Sequence, residues 1–448
     1  MNYTENKIHK MTTEPVAKLV CAMAVPSILS MLITAFYNLA DTFFVGKLGT
    51  EATGAIGVVF PYMTIIQAVA FFFGHGSGHF ISRALGAKRI EDAKKMAATG
   101  FFTAVILGVV IGILGLVFSE PLLTLFGATK TIMPEAKKYV IYILIATPFI
   151  MGAFVLNNIM RLQGNARMGV IGISSGAVLN VILDPIMIYA MDMGTAGAGL
   201  ATGVSQMVSF VLLLLLSGRK GGIKISWKNF NLNFSSIKEI FAGGIPSLAR
   251  QGLGSVAAIC LNNVAGVYGD SVIAGFSVVN RITFICISVL LGFGQGFQPV
   301  CGFNYGAKLY DRVKKAFWFC VKVSSVGMLI LAIVIFFNAE FLVGKFSEDD
   351  FHLIDIGVKT LRIQCISMPL MGFIVLSNMF LQNTRKTVRA TIVAMARQGV
   401  MLIPAIYILN LFMGLNGLML AQFVADIATF ILSVPLTLKA ISEMKENI

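Results

Sequence analysis

Between Val16 and Ala40 the chain carries one charge, Lys18, and apolar runs of this kind recur to the C-terminus. A helix needs about 20 apolar residues to cross the hydrocarbon of a bilayer. Windows of that kind fall at 16–40, 54–80, 96–118, 138–162, 168–190 and 196–217, and again at 237–264, 272–294, 316–338, 356–382, 390–412 and 416–438. This pattern predicts an all-α polytopic membrane protein with twelve transmembrane helices. Composition agrees: hydrophobic residues make up 57% and charged residues 12%, about half the charge of an ordinary globular chain. There is too little polar surface to dress a water-soluble body.

The net charge of +14 does not point to nucleic acid, because the basic residues form neither one face nor a tail. They recur between apolar runs, as RALGAKRIEDAKK, RLQGNARM, GRKGGIKISWK, NYGAKLYDRVKK and NTRKTVR, after every second span. The intervening loops are sparse or acidic, as in SEDDFHLID at 347–355. Positive-inside then places both termini in the cytoplasm. The polar start, MNYTENKIHKMTTEPVAK, reads as a cytoplasmic tail before a retained first helix. Six scattered cysteines, without a CxxC, read as packing residues.

A repeat runs through the chain at a constant offset of 220 residues. Pro26-Ser27 matches Pro246-Ser247, Gly49 matches Gly269, and Gly74 and Gly76 match Gly294 and Gly296. Gly86-Ala87-Lys88 matches Gly306-Ala307-Lys308, and Gly152, Gly194 and Gly197 match Gly372, Gly414 and Gly417. The chain therefore divides into a six-helix lobe at 1–220, a basic cytoplasmic linker at 221–236, and a second six-helix lobe at 237–448. Six spans is an even number, so the two copies insert with the same orientation. Parallel repeats of this sort occur in secondary transporters, with substrate held between halves that rock in alternation.

Differences between the copies locate the expected chemistry. Asp41 corresponds to Leu261, and Asp184, in LNVILDPIMIY, corresponds to Pro404. Intramembrane acids mark ion or proton pathways by default. Asn180 is one turn before Asp184, Tyr37 is one turn before Asp41, and Thr202 enters the sixth span at a similar depth. Two carboxylates, an amide and a hydroxyl at one level could hold Na⁺. They could equally keep a carboxyl protonatable near neutral pH, since burial and a second carboxylate both oppose ionisation. The plainer alternatives are that Asp41 marks the aqueous end of its helix and that Asp184 is held by a structural hydrogen bond.

Pro26 is expected to bend the first span. Met31, Arg250, Gln251 and Asn263 are candidates for a substrate cleft. Arg250, Arg281 and Arg397 of the second lobe either line an aqueous cleft, pair with acids such as Asp426, or snorkel. His75 and His79, in the glycine-rich GHGSGH segment, read as part of a turn; no HExxH glutamate accompanies them, and no metal site is expected beyond Na⁺ at Asp41, Asn180 and Asp184.

These residues carry a family resemblance. Pro26 and Asp41, GHGSGHFISRALGAKR, Asn180 with Asp184, and above all GFGQGFQPVCGFNYGAKLYDRVKKA at 292–316 resemble the multidrug and toxic compound extrusion (MATE) transporters, in their MepA-like and DinF-like bacterial branch, over essentially the full length. The resemblance implies export of cationic or amphipathic compounds across a bacterial cytoplasmic membrane by antiport with H⁺ or Na⁺. Relatives of the NorM kind carry acids in the seventh and tenth spans, where this chain has Arg250, Gln251 and Gln364. Coupling is therefore expected in the first lobe, at Asp41, Asn180, Asp184, Tyr37 and Thr202. Small cationic or amphipathic molecules and membrane lipids are the expected partners of a monomeric protein with no cofactor besides the coupling ion. The rival reading is a flippase for a lipid-linked precursor. An enzyme would need a nucleophile–base set and an ATP-driven pump a P-loop; the sequence offers neither.

Overall fold

The structure, a computed structural model, describes residues 3–219, 221–346 and 350–444. The side chains of residues 3, 4, 38, 39, 41, 42 and 50 lie outside that description, as does the 347–349 part of the acidic loop. Where described, the chain contains helices and no strand. In lipid, a helix is the one open-ended way for a backbone to satisfy its own donors and acceptors.

The first repeat comprises α2 (Val16–Gly46), preceded by α1 (Tyr3–Thr13), then α3 (Thr50–Gly86), α4 (Ile90–Val117), the short α5 (Ser119–Leu125), α6 (Met133–Leu162), α7 (Ala166–Pro185) and α8 (Gly194–Ser217). The second comprises α9 (Phe234–Gly266), α10 (Asp270–Gly306), α11 (Tyr310–Phe337), the short α12 (Ala339–Gly344), α13 (Phe351–Asn383), α14 (Thr387–Met395), α15 (Leu402–Met413) and α16 (Leu415–Ser442). Among the described residues, eleven helical segments are long and apolar enough to cross a membrane. The twelfth expected span, α9, has ample length at 33 residues, but Lys238, Glu239, Arg250, Gln251, Asn262 and Asn263 dilute its apolar character.

The backbone repeats as closely as the sequence. Gly49 and Gly269 take φ of 117° and 110°, Lys88 and Lys308 take 60° and 59°, and Gly194 and Gly414 take 55° and 57°. Left-handed lysines are uncommon; their recurrence at the same point shows that the Gly-Ala-Lys turn is built alike in both copies.

Three expectations need correction. The segment before Thr13 is a helix rather than a plain tail, because Ile8 and Met11 are buried and Lys7 Nζ donates to Asn165 Oδ1 at 2.5 Å. The glycine-rich stretch around His75 and His79 is not a turn: α3 continues through it to Gly86. Its glycines serve close packing, since a Cβ on Gly74 would meet Asn158 at 2.9 Å and one on Gly78 would meet Leu162 at 2.3 Å. His75 stacks between Phe71 and His79, and its Nε2 lies 3.2 Å from Arg161 Nη2. Finally, the fifth span of each copy is interrupted by a π turn, at Ile186–Ala190 in the first and Ala396–Val400 in the second.

Two compact units emerge: residues 1–14 with 25–244, and residues 15–24 with 245–448. The linker at 221–236 belongs to the first, where Ile223 N donates to Gln163 Oε1 at 2.9 Å and Trp227 packs edge-on against Phe102. In the first unit α6 packs against α3, α4 and α8; in the second α13 packs against α10, α11 and α16. The first nine residues of α2 thus belong to the second unit, and the equivalent start of α9 belongs to the first. Both boundaries fall two residues before a proline, Pro26 or Pro246.

Glycine makes both placements possible. A Cβ on Gly76 would lie 2.3 Å from Ile240 O, and one on its repeat partner Gly296 would lie 2.5 Å from the backbone of Ala24. The first unit adds an ion pair, Arg83 Nη2 to Glu239 Oε2 at 3.1 Å. The second has Phe303 and Leu19 at those positions, both fully buried. Gly296→Leu is expected to destabilise the fold by roughly 1–3 kcal/mol, the usual cost of overpacking; a detergent thermostability assay unchanged from wild type would refute the close approach.

The end of α16 is pinned ionically. Glu443 meets Arg389 at 2.5 Å and Lys386 at 2.6 Å, and these cations hold its carboxyl down at about 2 from an ordinary 4.5. A depressed carboxylate stabilises above its unfolded pKa, and that contribution fades as pH falls through the folded value. Glu443→Gln should therefore lower the melting midpoint at pH 6 to 7, with the gap from wild type closing between about 4.5 and about 2. A gap constant across that range would disprove the assignment.

Candidate cation-coupling site

Small residues set the geometry of α7 against α8. A Cβ on Gly172 would meet Leu213 at 2.4 Å, and one on Gly176 would meet Ser205 O at 2.8 Å. Ser209 Oγ donates to Gly172 O at 2.7 Å. With the two helices this close and antiparallel, the next turn brings Asn180 opposite Thr202. Asn180 Nδ2 donates to Thr202 Oγ1 and to Asp184 Oδ1, each at 3.3 Å. All three residues are buried, Asp184 completely. The two bonds are long for N–H···O contacts, and among the described residues Asn180 Oδ1 has no hydrogen-bond partner.

Beyond Asp184 the π turn swings Tyr189 toward the C-terminal end of α2. Its hydroxyl donates to Phe44 O at 2.5 Å. Phe44 follows Asp41 by three residues, so the backbone of α2 near Asp41 is tied to the continuation of α7. The Asp41 side chain itself lies outside the described residues.

One turn from the cluster, toward the Ala166 end of α7, the first unit contains a pocket. Thr34, Tyr37, Gln67, Gln206 and Ser209 supply its polar groups, and Ile66, Ile150, Phe154 and Ala177 are among its apolar walls. Gln206 Oε1 is buried there without a hydrogen-bond partner among the described residues. Of the residues expected from sequence, Tyr37 lines it and Met31 does not. Thr34, Gln67, Gln206 and Ser209 were not anticipated. Gln206 had a signal: its repeat partner is Asp426, a polar residue at the same place in the other copy.

In the second unit Gln251 and Arg250 are half-buried and Asn263 is exposed in the last turn of α9. Arg397 pairs with Asp426, Nε to Oδ1 at 3.0 Å. Gln422 Nε2 donates to the same oxygen at 2.9 Å and Ser367 Oγ to Oδ2 at 3.0 Å. Described residues include no group of three or more His, Cys, Asp or Glu that could hold a metal ion.

A duplicated six-helix plan with polar groups buried inside the copies is the form many multi-pass secondary transporters take. Comparison with known proteins makes that specific. The MatE family model matches twice, at residues 26–186 and 246–408, and the chain belongs to this family, the MATE transporters, whose members are not enzymes. It is 25% identical over 429 residues to the "Multidrug export protein MepA" of Staphylococcus aureus (strain MRSA252), spanning 94% of this chain and 93% of that one. It is 27% identical over 408 residues to the protein of the same name from Staphylococcus saprophyticus, spanning 90% and 89%. The solved structure of a multidrug resistance MATE family transporter in an outward-facing conformation superposes with a TM-score of 0.92 at 26% identity, over 98% of each chain.

Proposed function

We propose that this protein exports cationic or amphipathic small molecules from the bacterial cytoplasm by antiport, with Asp184, Asn180 and Thr202 binding the coupling H⁺ or Na⁺. The buried cluster of these three residues, one turn from a pocket in the same unit, carries the reading. In the observed arrangement the Asn180 amide donates to both neighbours, which suits an ion-free state. Rotating that amide presents Oδ1 in place of Nδ2, and a carboxylate, an amide carbonyl and a hydroxyl then converge as oxygen ligands. A proton on Asp184 satisfies the same geometry by turning the carboxyl into a donor. Either event changes the charge of the first unit, and it biases alternating access only if the two conformations bind the ion differently. Asp41, near the Tyr189–Phe44 tie, is assigned to the same site, and both termini are assigned to the cytoplasm by the basic loops.

The test is ethidium efflux from proteoliposomes under a proton gradient or a sodium gradient imposed separately. Export driven by one gradient supports the reading and names the ion. Failure of both gradients to drive a lipophilic cation would overturn it.

A further inference from the structure

From Ser217 to Lys238 the sequence has five cations, Arg219, Lys220, Lys224, Lys228 and Lys238, and no acid. The next residue, Glu239, is committed to Arg83. Other basic loops neutralise part of their own charge: Lys94 pairs with Glu91, Arg89 with Asp92, Lys314 with Asp311, and Lys386 and Arg389 with Glu443. Among the described residues Arg219, Lys224, Lys228 and Lys238 form no ion pair, and all four are exposed.

The segment carrying these charges is docked on α4 within the first unit. Asn231 N donates to Thr99 Oγ1 at 3.2 Å, and that hydroxyl donates to the carbonyl of Lys95, one turn earlier, at 2.8 Å. Lys95 is exposed and adds a fifth described cation. Trp227 meets Phe102 edge-on, with ring centroids 4.6 Å apart, and stacks on Phe230 at 4.9 Å. A Cβ on Gly218 would lie 3.4 Å from Lys224 Cβ, so the turn between them brings the roots of Arg219 and Lys224 together.

Depth gives this docking its meaning. Thr99 and Phe102 lie inside the apolar window that opens at 96, by about 5–9 Å along the helix axis. Phe102 starts a stripe that continues through Ile106, Val109, Val110 and Ile113, all four exposed, which is the face α4 turns to lipid. Trp227, at the foot of that stripe, is 60% exposed, and Leu232 and Phe234 beyond it are exposed too. Interfacial segments bury their apolar groups to this depth beneath the headgroups, with basic side chains reaching up to the phosphates, and indole rings favour the same level. At the positions of Thr99 and Phe102 the second copy has Phe319 and Lys322, so the platform belongs to the first unit alone.

We propose that the linker and the foot of α4 form a binding site for anionic lipid headgroups, with Lys95, Arg219, Lys224 and Lys228 meeting the phosphodiester and Trp227 seated at the top of the acyl chains. A net negative headgroup such as phosphatidylglycerol fits this unneutralised charge; in phosphatidylcholine the choline cation opposes it.

The chain has two tryptophans, Trp227 and Trp318, so full-length Trp318→Phe protein in bilayers reports on Trp227 alone. Lipids brominated near the top of the acyl chain should quench its fluorescence more than lipids brominated deeper. Brominated phosphatidylglycerol should bind about 10-fold more tightly than brominated phosphatidylcholine, given the usual attraction of a basic residue to an anionic surface. Lys224→Gln with Lys228→Gln should cut that preference to about 2-fold or less, and the paired Arg replacements should keep it. Should the Gln variant fail to fold, a salt titration of the Trp318→Phe protein decides, since screening should erode the preference between about 0.05 and 0.5 M. Quenching blind to bromine depth, equal affinity for the two lipids, or a preference indifferent to both the Gln substitutions and salt overturns the proposal. So does inorganic phosphate that abolishes the preference where chloride at equal ionic strength does not, because the site would then take free phosphate.

Discussion

Asp184→Asn is expected to lower gradient-driven efflux roughly 100-fold or more, a loss equivalent to about 2.7 kcal/mol, while equilibrium binding of the dye persists. The substitution keeps size and hydrogen-bonding capacity but removes the ionisable carboxylate from the centre of the cluster. Asn180 would keep a partner on α7 and its bond to Thr202, so the fold should survive, and chromatographic homogeneity checks that. Asn180→Ala and Thr202→Ala then separate the ions. Removing a neutral oxygen ligand should weaken Na⁺ coupling strongly, whereas a proton carried on Asp184 tolerates the loss better. Efflux by Asp184→Asn at the wild-type rate would sink the coupling assignment and leave the family membership standing.

Asp426→Ala is expected to destabilise the second unit by about 3–5 kcal/mol, the usual cost of leaving one member of a buried ion pair unpartnered. Arg397 would lose its only described counter-charge. The compensating double variant, Asp426→Ala with Arg397→Met, should recover most of the loss, because replacing a buried pair with apolar groups is often neutral. Thermal unfolding of the four proteins in one detergent supplies the double-mutant cycle. A single variant as stable as wild type would show that the pair carries no structural weight.

The spans and the duplication were legible because each rests on a signal internal to the chain. Twenty apolar residues dictate a helix in lipid whatever their neighbours, and an offset of 220 residues needs no structure to be read. Asn180, Asp184 and Thr202 were legible for the same reason: helical spacing relates the first two, and span direction gives the level of the third. What escaped depends on neighbours. GHGSGH looks like a turn because glycine is judged locally as a breaker; in α3 its glycines are contact surface for Asn158, Leu162 and the backbone at Ile240. Helix α1 was hidden because its short apolar face, Ile8 and Met11, is meaningful only against the loop at Asn165. The π turns have no composition signature at all. The pocket residues Thr34 and Gln67 are isolated polar positions on long apolar helices, and their convergence is a property of packing.

The assignment of residues 15–24 to one unit and 235–244 to the other has a historical corollary. A single copy of the repeat, translated alone, would be a chain whose own core lacks ten residues and whose spare ten residues lack a core. Two such chains, by trading those segments, would each complete the other, which is the geometry of a domain-swapped homodimer. Gene fusion of such a pair needs only the linker at 221–236 to make the trade intramolecular. It would also free the copies to diverge, as Asp184 opposite Pro404 and Gln206 opposite Asp426 show.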